Sequence, residues 1–378
     1  MPSQLSTEKM ANIDHVRAKI NWDRVLRLAS SLRGQSCKRE NVEFYGGCNL
    51  ISSLIFEDGT RWAFRVPHDP SPTPFQSTVD TMHYVKRAVP DIPIAIVRTF
   101  SDSKDGDGIG LPYMLLDWIE GQTLEDWSSD SPPGPQRRKV LAQLARITVD
   151  LLRYTSEVEG SGSTLAWMRR RVNAKLKRIL TGDLNSFDPV DCLIYAAMAE
   201  ERYLVRHLDG LPSPLMHADL SKLNIIVDSE YNITGILDWD DWARRSPLQF
   251  AVMYPRLIEL TDDSVVNDSL HQDRVCFLEH FTTSLATSGL DEAAVASLPL
   301  ILADDELQTF HASFWSKSVY ADWVARYCIR DKQWVTAAVR ALENFILDNV
   351  AWADSAEVRS LRSRLEMRGE GEQENSLQ

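Results

Sequence analysis

The chain has 378 residues, and 44% of them are hydrophobic, which is enough for two lobes with separate cores and too much for general disorder. Its 41 lysines and arginines stand against 54 aspartates and glutamates, giving a formal net charge of −13. An acidic surface repels the phosphates of nucleic acid and anionic lipid. We therefore expect no nucleic-acid partner and no membrane partner.

The cysteines and the N-terminal residues bear on the compartment. The five cysteines are scattered and lack the close pairs of zinc or redox motifs, which indicates reduced thiols. Residues 1–20 are charged without a continuous apolar core, unlike a secretory signal, and no stretch reaches membrane-spanning length. These features predict a cytoplasmic protein.

The first predicted elements are a helix and a hairpin. Apolar residues recur at helical spacing over 21–32, and Gly34 is placed to end that helix. Two apolar runs, 49–56 and 61–66, flank a charged Asp-Gly turn at 57–60, which is typical of a β-hairpin. A twisted sheet is expected to begin in this region, from about residue 42.

A helix over 75–89 and two strands, over 94–100 and 113–119, are predicted next. Beyond residue 121 the pattern becomes mainly helical, with one apolar stripe over 140–152 that we interpret as core. A basic run from Arg169 to Arg178 falls on a predicted helix. Recognition of an anionic group is one interpretation of this run, but a solvated helix face is favoured.

The stretch 215–242 carries the chemistry. Asn224 comes five residues after Asp219 and directly precedes a predicted strand. A turn then returns the chain through a second strand, which ends just before Asp238. The hairpin is expected to bring Asn224 and Asp238 close together.

Phosphoryl transfer needs this set of side chains. One carboxylate orients or deprotonates the attacking hydroxyl, and oxygen ligands hold magnesium on the nucleotide phosphates. Asp219, Asn224 and Asp238 supply these groups. Any one of them alone fits an ordinary turn, whereas their joint spacing between apolar strands predicts a kinase-like site.

This stretch resembles the catalytic loop and metal-binding aspartate of the aminoglycoside phosphotransferase and choline kinase superfamily. Trp239 follows Asp238, where protein kinases place Phe-Gly and then an activation segment, and the continuation is most similar to fungal members of the family. The resemblance implies that Asp219 is the catalytic base, that Asn224 and Asp238 bind Mg²⁺, and that His217 supports the loop.

The same resemblance implies an α+β, protein-kinase-like two-lobed fold. Its N-lobe is a small antiparallel sheet that binds the nucleotide, over 41–117. Its C-lobe is larger and mainly helical and carries catalysis and substrate binding, over 118–362. The expected flanks are a helical extension over 1–40 and a disordered tail over 363–378, the latter because its composition is charged and polar.

Two further segments match the family's ATP site. Gly46 and Gly47 fall where its nucleotide loop joins the first two strands. YMLLDWIEGQTL matches the interlobe hinge, where the adenine edge would bond the backbone of Asp117 and Ile119, with Leu116 beside the ring. Ordinary turns and an edge strand fit the same residues.

Two positions depart from the family pattern. Arg65 stands where a lysine usually contacts the phosphates, which keeps the charge and changes the geometry. Thr78 aligns with the glutamate that would pair with that basic residue, and Asp80 is a candidate substitute. These departures keep open a catalytically weak pseudokinase that acts as a nucleotide-binding or scaffold protein.

The leading hypothesis is an ATP- and Mg²⁺-dependent kinase that phosphorylates a hydroxyl of a small metabolite. Nucleotidyl transfer on the same fold also stays open, and a protein kinase is disfavoured. A cationic acceptor is one alternative among small molecules, with four acidic candidates for binding it: Asp240, Asp241, Asp262 and Asp263. Fold alone does not choose the acceptor.

Overall fold

The computed structural model describes residues 7–68, 74–128, 131–132, 134–156, 162–240, 243–260, 264–328 and 332–375. The described residues form two compact units. One gathers residues within 1–155, 215–244 and 254–284, and the other gathers residues within 156–214, 245–253 and 285–378.

The strands are β1 (Cys37–Tyr45), β2 (Asn49–Phe56), β3 (Arg61–Pro67), β4 (Val97–Ser101), β5 (Tyr113–Asp117), β6 (Gln122–Thr123), β7 (Leu215–His217), β8 (Ile225–Val227), β9 (Ile233–Ile236) and β10 (Ala243–Arg245). The helices are α1 (Thr7–Lys19), α2 (Trp22–Arg33), α3 (Phe75–Ala88), α4 (Gly134–Tyr154), α5 (Thr164–Leu180), α6 (Pro189–Glu201), α7 (Ser264–Ala286), α8 (Glu292–Ala303), α9 (Asp305–Ser313), α10 (Lys317–Tyr327), α11 (Lys332–Asp348) and α12 (Ala356–Asn375).

Five strands of the first unit form one antiparallel sheet in the order β1-β2-β3-β5-β4. The predicted hairpin of β2 and β3 is confirmed, with Ile51 opposite Arg65. The sheet starts earlier than expected, because β1 begins at Cys37, inside the range predicted as a helical extension. Together with the helices this sheet confirms the α+β class.

Helix α2 covers one face of this sheet. Val25 and Ala29 are buried, and the ring of Trp22 meets that of Phe64 edge to face at 5.5 Å. Gly34 ends α2 as expected, with φ +73°, and its N–H donates to the carbonyl of Ser30 at 2.8 Å. A left-handed residue at this position favours glycine because it carries no Cβ.

A three-stranded sheet, β6-β8-β9, belongs to the same unit. The segment after β5 lies close against it. A Cβ on Gly235 would lie 2.6 Å from two side-chain atoms of Ile119, and a Cβ on Gly121 would lie 2.4 Å from the carbonyl oxygen of Val227. The two glycines therefore permit the close approach of the hinge segment to β8 and β9.

By compactness, β8 and β9 group with the five-stranded sheet, whereas the sequence-based lobe boundary lies after residue 117. The proposed lobe limits stay a prediction.

The second unit is mainly helical and has an aromatic core. The ring of Phe310 lies 4.2 Å from that of Tyr203 and 5.3 Å from that of Tyr195. The composition predicts a disordered tail over 363–378, whereas the structure continues α12 through Asn375, and residues 376–378 lie outside the described residues. Leu361 and Leu365, one turn apart on α12, are both buried. The helix is therefore packed on either side of residue 363, where the predicted tail begins.

Candidate active site

Asp219 lies in the loop between β7 and β8, and its side chain is nearly buried, with 9% of the residue exposed. The side-chain amide of Asn224 donates through Nδ2 to both the backbone oxygen and Oδ2 of Asp219, each at 2.9 Å. These two bonds fix the amide orientation, so Oδ1 of Asn224 is the atom left to coordinate a cation.

His217 connects this loop to the end of the β8–β9 hairpin through two hydrogen bonds. Its Nδ1 accepts the backbone N–H of Asp219 at 3.3 Å, and its Nε2 donates to the carbonyl of Leu237 at 2.8 Å. Burial lowers the pKa of His217 to about 4, so the ring is neutral near pH 7. One acceptor and one donor match the neutral imidazole, and Trp239 packs edge to face on it at 4.8 Å.

Asp238 lies two residues beyond the end of β9. The N–H of Leu237 donates to the carbonyl of Asn224 at 2.8 Å, which brings the residue before Asp238 against Asn224 as the hairpin predicts. Asp238 has φ +64°, in the left-handed region. Aspartate tolerates this region better than most residues, and such strain concentrates at functional sites.

Arg65 on β3 pairs with Asp240. Nη1 of Arg65 donates to Oδ1 of Asp240 at 3.2 Å, and its Nη2 bonds Oδ2 of the same carboxylate. The hydroxyl of Thr78 donates to Oδ1 of Asp240 at 2.8 Å. Both charged side chains are largely buried, at 13% and 16% exposed.

The expectation that Asp80 substitutes for the missing glutamate is therefore wrong. Asp80 accepts from Nε2 of Gln76, one turn back on the exposed side of α3. Asp240, two residues beyond Asp238, takes the pairing position instead, and Thr78 supports it. In the sequence, Asp240 belongs to the acidic run DWDD. Nothing local distinguishes it from the other acidic residues as the partner of Arg65.

Arg256 was not anticipated from the sequence. Its Nη1 donates to Oδ1 of Asp219 at 2.9 Å, so the carboxylate has a donor on each oxygen. Arg256 starts a short helical turn after Pro255, and no motif marks it.

The glycine loop lies between β1 and β2, as expected. The N–H of Gly46 donates to the carbonyl of Asn49 at 2.9 Å. A Cβ on Gly46 would lie 3.7 Å from the same oxygen, and one on Gly47 would meet no atom within 4 Å. The present loop conformation does not itself demand glycine.

The hinge segment has two of its backbone N–H groups engaged. The N–H of Asp117 donates to Ile96 at 2.9 Å, and that of Trp118 donates to Arg61 at 3.2 Å. The Asp117 side chain pairs with Arg98. Leu116 is opposite Ala63 in the sheet register, on the same face as Arg65.

The acidic candidates for a cationic acceptor are only partly described. Asp240 is engaged by Arg65, while Asp241, Asp262 and Asp263 lie outside the described residues. In the part of the chain that is described, no cluster of three or more His, Cys, Asp or Glu side chains suits a metal ion. Over the same residues, no helix combines the length and apolar character needed to cross a bilayer.

The basic run on α5 has more internal contacts than a solvated face would make. Arg169 pairs with Glu200 at 2.8 Å. Nζ of Lys175 lies 3.3 Å from the ring centroid of Tyr320, and burial lowers the pKa of Lys175 to about 8. The solvated interpretation holds for exposed Arg170 and is wrong for Lys175.

Comparison with known proteins gives a family match. A family model described as "Phosphotransferase enzyme family" matches residues 52–258, more than half of the chain. The clavilactone A biosynthesis cluster protein Y of Ampulloclitocybe clavipes is 36% identical over 103 residues, which cover 25% of this chain and 24% of that protein. The chain thus matches about a quarter of that relative's length.

Solved structures give weaker matches. A crystal structure from Ralstonia eutropha JMP134, provisionally described as an aminoglycoside phosphotransferase, has a TM-score of 0.49 at 13% identity and covers 97% of this chain and 96% of that one. Plasmodium vivax ethanolamine kinase has a TM-score of 0.48 at 13% identity, with 82% of each chain covered.

Proposed function

Since this chain belongs to the phosphotransferase enzyme family, we propose that it transfers the terminal phosphoryl group of ATP, with Mg²⁺, to a hydroxyl of a small molecule. The observation that carries the proposal is the joint placement of Asp219, Asn224 and Asp238 on one loop and hairpin, with Asp219 bonded to Asn224. A kinase-like fold and a phosphotransferase are what the family match supports.

The donor set fits magnesium. Oδ1 of Asn224 and the carboxylate of Asp238 are hard oxygen ligands, and Mg²⁺ commonly takes one or two protein oxygens, nucleotide phosphates and water. When bound, the ion neutralises charge on the phosphates and holds them in line with the acceptor. The amide of Asn224 cannot rotate freely, because Nδ2 is committed to Asp219.

Asp219 is proposed to orient the acceptor hydroxyl and receive its proton. Each carboxylate oxygen offers two lone-pair sites, so a hydroxyl can bond Asp219 alongside the donors already present. His217 fixes the loop as a neutral ring and therefore does not compete for the proton near pH 7. As the proton moves to Asp219, the bond from the hydroxyl oxygen to phosphorus forms and ADP leaves.

The nucleotide is proposed to lie on the sheet face that carries Arg65. The N–H of Asp117 already donates to the carbonyl of Ile96. Asp117 would therefore contact adenine through its backbone carbonyl, and the backbone N–H of Ile119 would make the second contact. Leu116 would pack beside the ring, and Gly46 and Gly47 would lie near the phosphates. Arg65 would contact those phosphates while Asp240 holds its guanidinium.

The pairing of Arg65 with Asp240 bears on the pseudokinase alternative. A basic residue without a partner would be poorly placed for the phosphates, whereas the bidentate pair fixes the guanidinium plane. This observation favours an active enzyme. The acceptor is proposed to be a small molecule, and the reaction to be cytoplasmic, where ATP is abundant.

Thermal shift of the purified protein with ATP, with and without Mg²⁺, tests the proposal, because a ligand that binds only the folded state raises the midpoint. We expect a Mg²⁺-dependent rise in wild type. Asp238→Asn, which tolerates the same backbone conformation, should weaken Mg²⁺-dependent ATP affinity by roughly tenfold or more. No shift at millimolar ATP would contradict the proposal; a shift with no ADP release from any hydroxyl acceptor would favour the pseudokinase.

A further inference from the structure

Arg256 sits beside the carboxylate proposed to receive the proton. Its Nη1 lies 2.9 Å from Oδ1 of Asp219, and its Nε lies 3.3 Å from Oε2 of Glu259. These contacts use two of the five N–H donors of a guanidinium. The Arg256 side chain is 50% exposed, so a substrate can reach it.

The backbone of this arginine is tied to the loop that carries Asp219. The N–H of Leu257 donates to the carbonyl of Leu220 at 3.0 Å, and Leu257 and Ile258 are buried. The carbonyl of Ile258 accepts from Nε of Arg274 at 3.0 Å. Arg256 is therefore held in place beside Asp219 before substrate binds. A cation fixed in advance in this way can stabilise the charge that develops in a transition state.

We propose that Arg256 is a catalytic residue that binds the transferred phosphoryl group. This inference rests on the proposed function. A hydroxyl bonded to Asp219 lies about 2.7 Å from a carboxylate oxygen, and phosphorus must approach that hydroxyl in line. A guanidinium that bonds the same carboxylate is then within reach of the equatorial phosphoryl oxygens.

The chemistry of transfer gives Arg256 its role. The bond from the acceptor oxygen to phosphorus forms, the bond from phosphorus to the ADP oxygen breaks, and the proton of the hydroxyl passes to Asp219. Charge is spread over three equatorial oxygens meanwhile. Arg256 stays protonated throughout, and its planar fork matches two such oxygens.

Binding of MgADP, alone and with aluminium fluoride as a planar stand-in for the phosphoryl group, tests this role without knowledge of the acceptor. Wild type should bind the fluoride complex more tightly than MgADP. Arg256→Ala should lose roughly 10²-fold in affinity for that complex and keep its MgADP affinity, and Arg256→Lys should fall between. Arg146→Ala, which removes a 68% exposed arginine of α4, is the matched control and should change neither affinity.

A double-mutant cycle separates contact with the phosphoryl group from support of Asp219. In an Asp219→Asn background, Arg256→Ala should still lower affinity for the fluoride complex by roughly tenfold or more. No further loss in that background overturns the proposal, because Arg256 would then act only through Asp219. Equal affinity of wild type and Arg256→Ala also overturns it, and absence of MgADP binding in wild type overturns the proposed function itself.

Discussion

Asp219 receives one donor on each carboxylate oxygen, and the two donors differ in charge. Asn224 is a neutral amide at 2.9 Å from Oδ2, and Arg256 is a cation at 2.9 Å from Oδ1. Both bonds hold the carboxylate in one orientation. A carboxylate held in this way can accept the hydrogen bond of the acceptor hydroxyl and then take its proton, so both its orientation and its charge contribute to transfer.

Asp219→Asn should therefore abolish transfer and leave nucleotide binding nearly intact. The amide keeps the shape of the side chain but cannot take the proton, which should lower kcat by roughly 10²- to 10⁴-fold. Two quantities are measured for the variant and for wild type: the rate of ADP release with an accepted hydroxyl substrate, and the dissociation constant of MgATP. Near-normal kcat would contradict the role given to Asp219.

The sequence placed three residues of this site because their spacing is local. Asp219, Asn224 and Asp238 fall on one loop and hairpin, so pattern and turn chemistry suffice to bring them together. The partners of the two arginines could not be inferred in this way. Arg256 is 37 positions from Asp219, and Asp240 is 175 positions from Arg65. Only the folded chain brings these pairs together.

At the scale of elements, one carboxylate connects β3, α3 and the segment after β9. Asp240 bonds Arg65 on β3 and the hydroxyl of Thr78 on α3. Its position two residues beyond Asp238 couples the proposed metal ligand to the proposed phosphate contact. A largely buried charge pair is costly to break, because the remaining charge lacks a partner.

Asp240→Asn should raise the KM for ATP by roughly tenfold, because Arg65 loses its ion pair and part of its fixed orientation. Thr78→Val should give a smaller effect in the same direction, since it removes one neutral hydrogen bond. Steady-state kinetics at varied ATP separates KM from kcat. Asp80→Asn is the matched control, and an effect as large as that of Asp240→Asn would refute the assigned pairing.

Elements were predictable where apolar periodicity is strong. The hairpin of β2 and β3 and the helix α2 follow their patterns almost to the residue. Strand β1 was predicted to start late because KRENVE carries four charges and no alternation. Two of those charges pair with residues of other elements, Glu43 with Arg17 of α1 and Glu40 with Arg61 of β3, and no local pattern records these pairs.

At the scale of the whole molecule, each compact unit contains a deeply buried histidine of low pKa. His217 belongs to the first unit, where burial lowers its pKa to about 4. His311 belongs to the second, where burial lowers its pKa to about 3. The ring of His311 packs 4.4 Å from that of Phe250, and its Nδ1 has no hydrogen-bond partner in the described chain.

These two histidines should make stability fall as the solution is acidified. In the unfolded chain a histidine titrates near pH 6.5. Below that pH the unfolded state is protonated at these two positions while the folded state is not, so acidification favours unfolding. The contribution is complete above pH 6.5 and is lost progressively as pH falls towards 4 and then 3. At 1.36 kcal/mol for each pH unit below 6.5 over which the folded state stays unprotonated, each histidine accounts for a loss on the order of 3 kcal/mol by pH 4.5. Such a loss is large against a typical stability of about 5–15 kcal/mol.

Urea unfolding between pH 7 and 4.5, followed by the fluorescence of the 11 tryptophans, measures the effect. His217→Gln and His311→Gln should each flatten the pH dependence, since glutamine does not titrate, although each substitution also lowers stability at pH 7. His15→Gln, at an exposed position of α1, should leave the pH dependence unchanged. Because the two histidines lie in different units, an effect confined to one transition assigns that transition to its unit. A pH dependence that is equally steep in both variants and wild type would mean that other groups control acid stability.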